Sequence, residues 1–354
     1  MTTDPSDHYA FVGTYTDRMY TCSLTAATGT LERLTATDAG QNPSFLAVHP
    51  DKEHLYAVNS VDEGRVTALS LDRDSGALTV LNRVATGGRE NPCYCSVDQS
   101  GQYLLVALYT GGVVVVVPIE DDGRLGQPSQ IVEHEGSGPN EDRQARPHPH
   151  SIRPGPQNRF VYVPDLGADR VFVYELDTDA GRLEPAPIPS TELPPGSGPR
   201  HLDFHPTSNV VYLVNELNST LTALERDSDT GALTVVETVP TLPEDFDGEN
   251  TAADVHVHDS GQWVYASNRG HDSIAVFEVG EDETSLTPVQ HVSTGGSRPR
   301  NFALTPSGTH LLAANAGTDD IVTFAIDDDD GTLTPTGSRL DVPTPTCLQF
   351  VPRP

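Results

Sequence analysis

Pro199-Arg-His-Leu-Asp-Phe204 reads as a short strand that opens on a proline, and the chain repeats that opening. It recurs as Pro43-Ser-Phe-Leu-Ala-Val48, Pro92-Cys-Tyr-Cys-Ser-Val97, Pro147-His-Pro-His-Ser-Ile152, Pro299-Arg-Asn-Phe-Ala-Leu304 and Pro345-Thr-Cys-Leu-Gln-Phe350. Ala252 to Val257 fills the remaining place in the series. Proline is tolerated at the first residue of a strand because the ladder does not yet need its missing N–H. A second marker, a turn glycine two residues before a leucine, appears in Gly29-Thr-Leu31, Gly76-Ala-Leu78, Gly123-Arg-Leu125, Gly181-Arg-Leu183, Gly231-Ala-Leu233 and Gly331-Thr-Leu333, with Thr284-Ser-Leu286 as a degenerate copy. Both markers count seven, at intervals of about 50 residues, the length of one four-stranded repeat.

Between the markers lie β-rich runs such as Phe160-Val-Tyr-Val163, Arg170-Val-Phe-Val-Tyr174, Trp263-Val-Tyr-Ala266 and Ile274-Ala-Val-Phe277, separated by Gly, Asp and Asn turns. Helical periodicity is absent. Each unit therefore reads as four antiparallel strands, A to D, with the proline strand first and the strand after the glycine turn last. One unit is split: Thr346 to Val351 supplies its A strand from the C-terminal side, and Phe11 to Tyr15, Met19 to Leu24 and Leu31 to Leu34 supply the rest. Complementary ends close a ring and leave no long free edge, whereas an open β-solenoid, the competing arrangement, would leave both ends unpaired. The expectation is an all-β, seven-bladed β-propeller over residues 9–354, preceded by a tail of residues 1–8. The split unit is counted as blade one.

The chain carries 21 Lys and Arg against 51 Asp and Glu, a formal net charge of −30, and Lys52 is its only lysine. Such a surface repels phosphate backbones and anionic membranes, so neither nucleic acid nor a membrane is expected as a partner. Self-repulsion weakens as salt shortens the Debye length to about 3 Å at 1 M, which points to a halophilic source. The carboxylates are spread along the chain, in runs such as Asp327 to Asp330 that suit connecting turns, and do not form one acidic tail. Met1 to Pro5 shows neither a basic nor an apolar leader region, and the longest apolar run, Val113 to Val117, is far too short for a bilayer, so a cytoplasmic protein is expected. Cys22, Cys93, Cys95 and Cys347 lack the paired spacing of a zinc site and read as buried thiols. Nothing in the sequence specifies an oligomeric state.

Antiparallel alternation puts the start of strand A and the end of strand B on one face of the ring, at the mouth of its central channel. The residues after the A-strand opening are Ser44, Cys93, His148, Arg200, Ala253, Arg300 and Thr346. The B strands end at Asn59, Asp165, Asn215 followed by Glu216, Asn268 followed by Arg269, and Asn315. The recurrent Asn or Asp is expected to shape each B-to-C turn through side-chain bonds to the backbone, and Glu216 and Arg269 depart from that pattern. The loops into strand A are longest at Glu133 to Arg146, before blade four, and Val239 to Thr251, before blade six, which makes them candidates for lids or binding elements.

His148-Pro-His150, Gly198-Pro-Arg-His201, Asn215-Glu-Leu217, Ala252-Ala-Asp-Val-His256, Asn268-Arg269 and Arg298-Pro-Arg-Asn-Phe302 together resemble the lactonase family of seven-bladed propellers, which includes 6-phosphogluconolactonases and carboxy-muconate lactonizing enzymes. The resemblance covers nearly all of residues 9 to 353. It implies an active-site set of His148, Arg200, Glu216 and Arg269, with His150, His201, Asp254 and Arg300 as nearby substrate-binding candidates, and it implies no cofactor or metal. Opening a sugar lactone needs an activated water, donors for the tetrahedral oxyanion, and cations for an anionic group on the substrate. His148 or Glu216 suits the base, and Arg200 or Arg269 the oxyanion or anion clamp. Alternatively, Arg200 and Glu216 form a structural ion pair and His148 is a hydrogen-bonded channel histidine. Asp254, His256 and His258 alternate along one strand, a spacing that would suit a metal only if other ligands converged on it. No nucleophile elbow, P-loop or dinucleotide fingerprint is present. The expected partner is a small anionic or sugar lactone, most specifically 6-phosphoglucono-1,5-lactone. Cycloisomerisation of a muconate and a non-enzymatic binding platform are the alternatives.

Overall fold

The computed structural model describes residues 7–354. Among them every regular element is a strand, and the strands form seven four-stranded antiparallel sheets, the blades of a seven-bladed β-propeller. Strands B and C of each blade are buried on both faces because the neighbouring blades cover them. Phe160–Asp165 is buried at every position, and Val113 to Val117 is a continuous buried valine run. Sheets covered on both sides read as unbroken apolar runs, whereas the outer D strands, such as Leu233–Pro240, alternate toward solvent. Blade one closes the ring as expected, with Pro345–Pro352 pairing antiparallel to His8–Thr14, Phe11 opposite Gln349 and Val12 opposite Leu348. Of the tail expected over residues 1–8, residues 1–6 lie outside the described residues, and His8 already belongs to a strand.

The glycine marker has two causes. At Gly76, Gly181, Gly231 and Gly331 the backbone is left-handed, with φ between 64° and 75°. Each of these glycines also lies under an aromatic ring at the start of the preceding blade's B strand: Tyr9, Tyr103, Phe160 and Trp263 respectively. A Cβ on Gly181 or Gly231 would come within 2.6 Å of the covering ring, so only glycine meets both conditions. His54 over Gly123 and His310 over Gly29 continue the series. Blade six has the degenerate turn Thr284-Ser-Leu286, and the B strand facing it begins with Val210: where the glycine is lost, so is the ring.

Three sequence expectations are corrected. First, Pro147 to Ile152 does not form a strand; blade four keeps only Arg153–Pro154 as its innermost strand. Pro147, Pro149 and Pro154 have no N–H to give a ladder, and Pro149, not Pro147, bridges the B-strand end at Asp165. In five of the other blades the proline opposite the B-strand end is Pro43, Pro92, Pro199, Pro299 or Pro345, and the next residue sits in a bulge facing the channel. That position in blade four therefore belongs to His150, not His148. Second, most B-strand asparagines bond to the connection leading into their own strand A rather than to the B-to-C turn. Asn59 Nδ2 donates to the carbonyls of Ala39 and Gln41, and Asn268 Nδ2 to that of Thr241. Only Asp165 caps its own turn, accepting from the amides of Gly167 and Ala168. Third, His258 is separate from Asp254 and His256. Its Nδ1 accepts from the Ser260 amide and its Nε2 donates to the Gly308 carbonyl of the next blade at 2.9 Å, as His49 does to Gly101.

Candidate active site

At the channel mouth lies a cavity of about 390 Å³ lined by Tyr15, Cys93, Tyr109, Arg143, His150, Glu216, Thr251, Arg269, Arg298 and Arg300, with Asn91. Among the described residues Glu216 is its only carboxylate. It stands just past the strand Val210–Asn215, where its amide bonds to the Gly198 carbonyl at 2.7 Å, and it is buried. Three guanidinium groups converge on it from three blades: Arg143 Nη2 on Oε1 at 2.5 Å, Arg269 Nη2 on Oε2 at 2.8 Å and Arg200 Nε on Oε2 at 3.0 Å. Burial disfavours the charged carboxylate, but Arg269, Arg200 and Arg143 outweigh it and hold Glu216 well below the usual carboxylate range. Arg200, 1% exposed, also donates to the Ala253 carbonyl, and burial together with the Arg269 and Arg300 charges lowers it to about 9. Arg269 is fixed further by Nη2 donating to the Ala252 carbonyl at 2.9 Å.

Arg143 comes from the long loop before blade four, which a buried Gln144 holds in place. Gln144 Nε2 donates to the Leu166 carbonyl at 2.8 Å and its Oε1 accepts from the Asn140 amide. The same loop lets Arg143 reach the Tyr109 hydroxyl at 3.3 Å. His150 is 4% exposed, packs edge-on to Tyr109 and His201, and has a buried Nδ1 without a hydrogen-bond partner. Burial and then the Arg200, His201 and Arg300 charges push His150 well below 6.5, so its ring is neutral.

Residues 9–350 match the family described as Lactonase, 7-bladed beta-propeller. The chain belongs to the lactonase family of seven-bladed β-propellers. A 6-phosphogluconolactonase of Bacillus subtilis is 36% identical over 97% of this chain and 98% of its own length. A 6-phosphogluconolactonase of Klebsiella pneumoniae is 35% identical over 80% of each chain. Among solved structures, a periplasmic gluconolactonase of Pseudomonas aeruginosa superposes with a TM-score of 0.93 at 32% identity, covering 99% of this chain and all of that one.

Within this lactonase fold the eight candidate residues occupy three levels. Glu216, Arg269, Arg300 and His150 line the cavity, and Arg200 lies directly beneath, bonded to Glu216. His148 does not line it; its ring stacks on Tyr109 at 4.3 Å and its Nδ1 donates to the Tyr109 carbonyl at 2.8 Å. His201 and Asp254 lie one layer deeper. His201 Nδ1 donates to Asp254 at 2.7 Å, which leaves its Nε2 facing Arg200, and both line a second cavity of about 330 Å³ toward the other end of the channel. In that cavity His256 sits between Asp254 and Asp203. Despite burial those two carboxylates raise His256 to about 10, while Arg153 and His256 lower Asp203 to about 2. Sequence reasoning missed Arg143 and Tyr109. The length of the 133–146 loop marked the right segment, but no pattern within it distinguished Arg143 from Arg146. Arg298 was quoted only inside a motif.

Proposed function

We propose that this chain is a lactonase that opens an aldonolactone, 6-phosphoglucono-1,5-lactone, by general-base attack of water. The observation that carries the reading is local charge: in a chain of net charge −30, the channel-mouth cavity presents Arg143, Arg269, Arg298 and Arg300 against one carboxylate. A cavity of that size and sign fits a small anionic sugar derivative. His150, neutral and lining the cavity, takes a proton from water as the water oxygen bonds to the lactone C1. Guanidinium N–H groups of Arg143 or Arg269 receive the oxyanion that forms on the carbonyl oxygen. When the tetrahedral centre collapses, the C1–O5 bond breaks and His150 returns the proton to O5, leaving the acid, which ionises to carboxylate. Glu216 is not the base in this scheme, because both of its carboxylate oxygens are occupied by guanidinium donors; it holds the three arginines in position instead.

The test is hydrolysis of 6-phosphogluconolactone and of gluconolactone in multimolar KCl, measured above spontaneous opening. Turnover of either supports a lactonase, and preference for the phosphorylated one supports the finer assignment. No rate above background with both, together with turnover of a carboxymuconate, would replace hydrolysis by cycloisomerisation.

A further inference from the structure

We infer that Arg298 and Arg300, flanking Pro299 at the mouth of blade seven, form a phosphate-binding subsite that makes this cavity select a phosphorylated lactone; the inference rests on the lactonase reading above. The five arginines of the site fall into two groups. Arg143, Arg200 and Arg269 are all committed to Glu216. Arg298 and Arg300 line the same cavity, yet among the described residues neither guanidinium has a carboxylate partner or a hydrogen bond within the protein. Arg300 has only the face of the Tyr15 ring, 5.4 Å from its guanidinium carbon. Arg300 is half-buried, so its unpaired guanidinium forgoes hydration without compensation unless a ligand supplies the acceptor, while the exposed Arg298 stands beside it at the rim, free to join it on that ligand.

The backbone at Arg298 supports the same conclusion. In five blades the residue before the A-strand proline is left-handed: Asn42, Asn91, Gly198, Arg298 and Thr344, with φ values of 47°, 56°, 63°, 55° and 38°. Asn and Gly fill such positions at little cost, whereas a long side chain there pays about 1 kcal/mol or more. Asp272 Oδ1 holds the Arg298 amide in place at 2.8 Å, so the strained conformation is supported from outside. The neighbouring Arg300 occupies the bulge position where other blades have Ser44, Cys93, Arg200 or Thr346, and unlike Arg200 it has no carboxylate partner. Arg298 and Arg300 thus bring two guanidinium groups without carboxylate partners to one rim of the cavity that His150 also lines. A phosphate monoester dianion offers the several acceptor oxygens that two planar donors can share, and Tyr15 supplies a flat wall beside them.

The variants are Arg298→Asn, which restores a residue suited to the left-handed position, and Arg300→Met, which keeps bulk and removes charge. For each, kcat/KM is measured for 6-phosphogluconolactone and gluconolactone, and binding of 6-phosphogluconate and of gluconate is followed by titration calorimetry. A lost charge-assisted bond corresponds to a factor of about 10 to 100, so the ratio of phosphorylated to unphosphorylated kcat/KM should fall by about tenfold or more in each variant, with the loss mainly in KM. 6-Phosphogluconate binding should weaken in step, while gluconate binding should change far less. Equal loss on both substrates, or undiminished 6-phosphogluconate binding, would overturn the subsite. If the wild type hydrolyses neither lactone, the lactonase reading fails, and the calorimetry still decides whether this arginine pair binds a phosphate.

Discussion

Replacing Glu216 with glutamine keeps the shape of the side chain and removes the one charge on which Arg143, Arg200 and Arg269 converge. Glu216 and Arg200 are almost fully buried, so the variant leaves a cation in the interior without its counter-ion, beside Arg269 and Arg300. Breaking a buried pair by removing one partner costs about 3–5 kcal/mol. In a domain of this size that lowers Tm by about 4–7 °C. The folded-state affinity of Glu216 for protons is depressed, so its contribution is present above the ordinary carboxylate pKa of about 4.3 and is lost as pH falls toward the folded value. Wild type and Glu216→Gln should therefore melt far apart at pH 7 and converge in acid. Turnover should drop by about 100-fold as the guanidinium groups lose their alignment. The residual activity should keep the acid limb of its pH–rate profile, because that limb belongs to another group. The assay is calorimetric melting from pH 3 to 8 alongside the pH–rate profile. A variant that melts with the wild type at pH 7 and loses its acid limb would make Glu216 the base and refute the anchoring role.

Three further outcomes are expected. His150→Gln should reduce kcat by about 100-fold or more, the contribution of a positioned base, whereas His148→Gln, whose ring lies behind Tyr109, should cost less; the reverse order in steady-state kinetics would return the base to His148. His256 is raised to about 10 in the folded protein, so its contribution to stability is complete below about pH 6.5 and is lost as pH rises toward 10. Urea unfolding of wild type and His256→Asn should accordingly differ most near pH 6 and least near pH 10, and a pH-independent difference would contradict the ion triad with Asp254 and Asp203. Because of the net charge of −30, the melting temperature should climb steadily from low to multimolar KCl, and a flat curve would count against the halophilic origin.

The ring was legible in the sequence because every blade but the sixth repeats two constraints that few residues satisfy: a proline where no N–H is needed and a glycine beneath a neighbouring ring. The split blade was legible for the same reason, since its two halves complete one copy of the pattern. Blade four misled because two prolines, Pro147 and Pro149, each fit the marker, and only pairing with Asp165 distinguishes them. That slip of two residues exchanged His148 for His150. His201 and Asp254 were candidates through the family resemblance alone; the bulge turns Arg200 toward Glu216 beneath the cavity and leaves His201 to the layer below. Arg143 was hidden for a different reason: a loop side chain that reaches from Tyr109 to Glu216 has no period to betray it, and its address depends on how Gln144 folds the loop beneath it.

The glycine-under-ring contact also makes each blade resemble a subunit in an assembly. Every blade but five and six carries both halves of the joint, a ring on its B strand for the next blade and a glycine turn for the previous one. Such head-to-tail interfaces are heterologous: they close only if the rotation per step brings the last unit onto the first, and otherwise they propagate as open filaments. In this chain the strand Pro345–Pro352, paired along its length with His8–Thr14, makes that closure part of the covalent sequence, so the ring terminates itself where separate subunits would have to rely on angle alone.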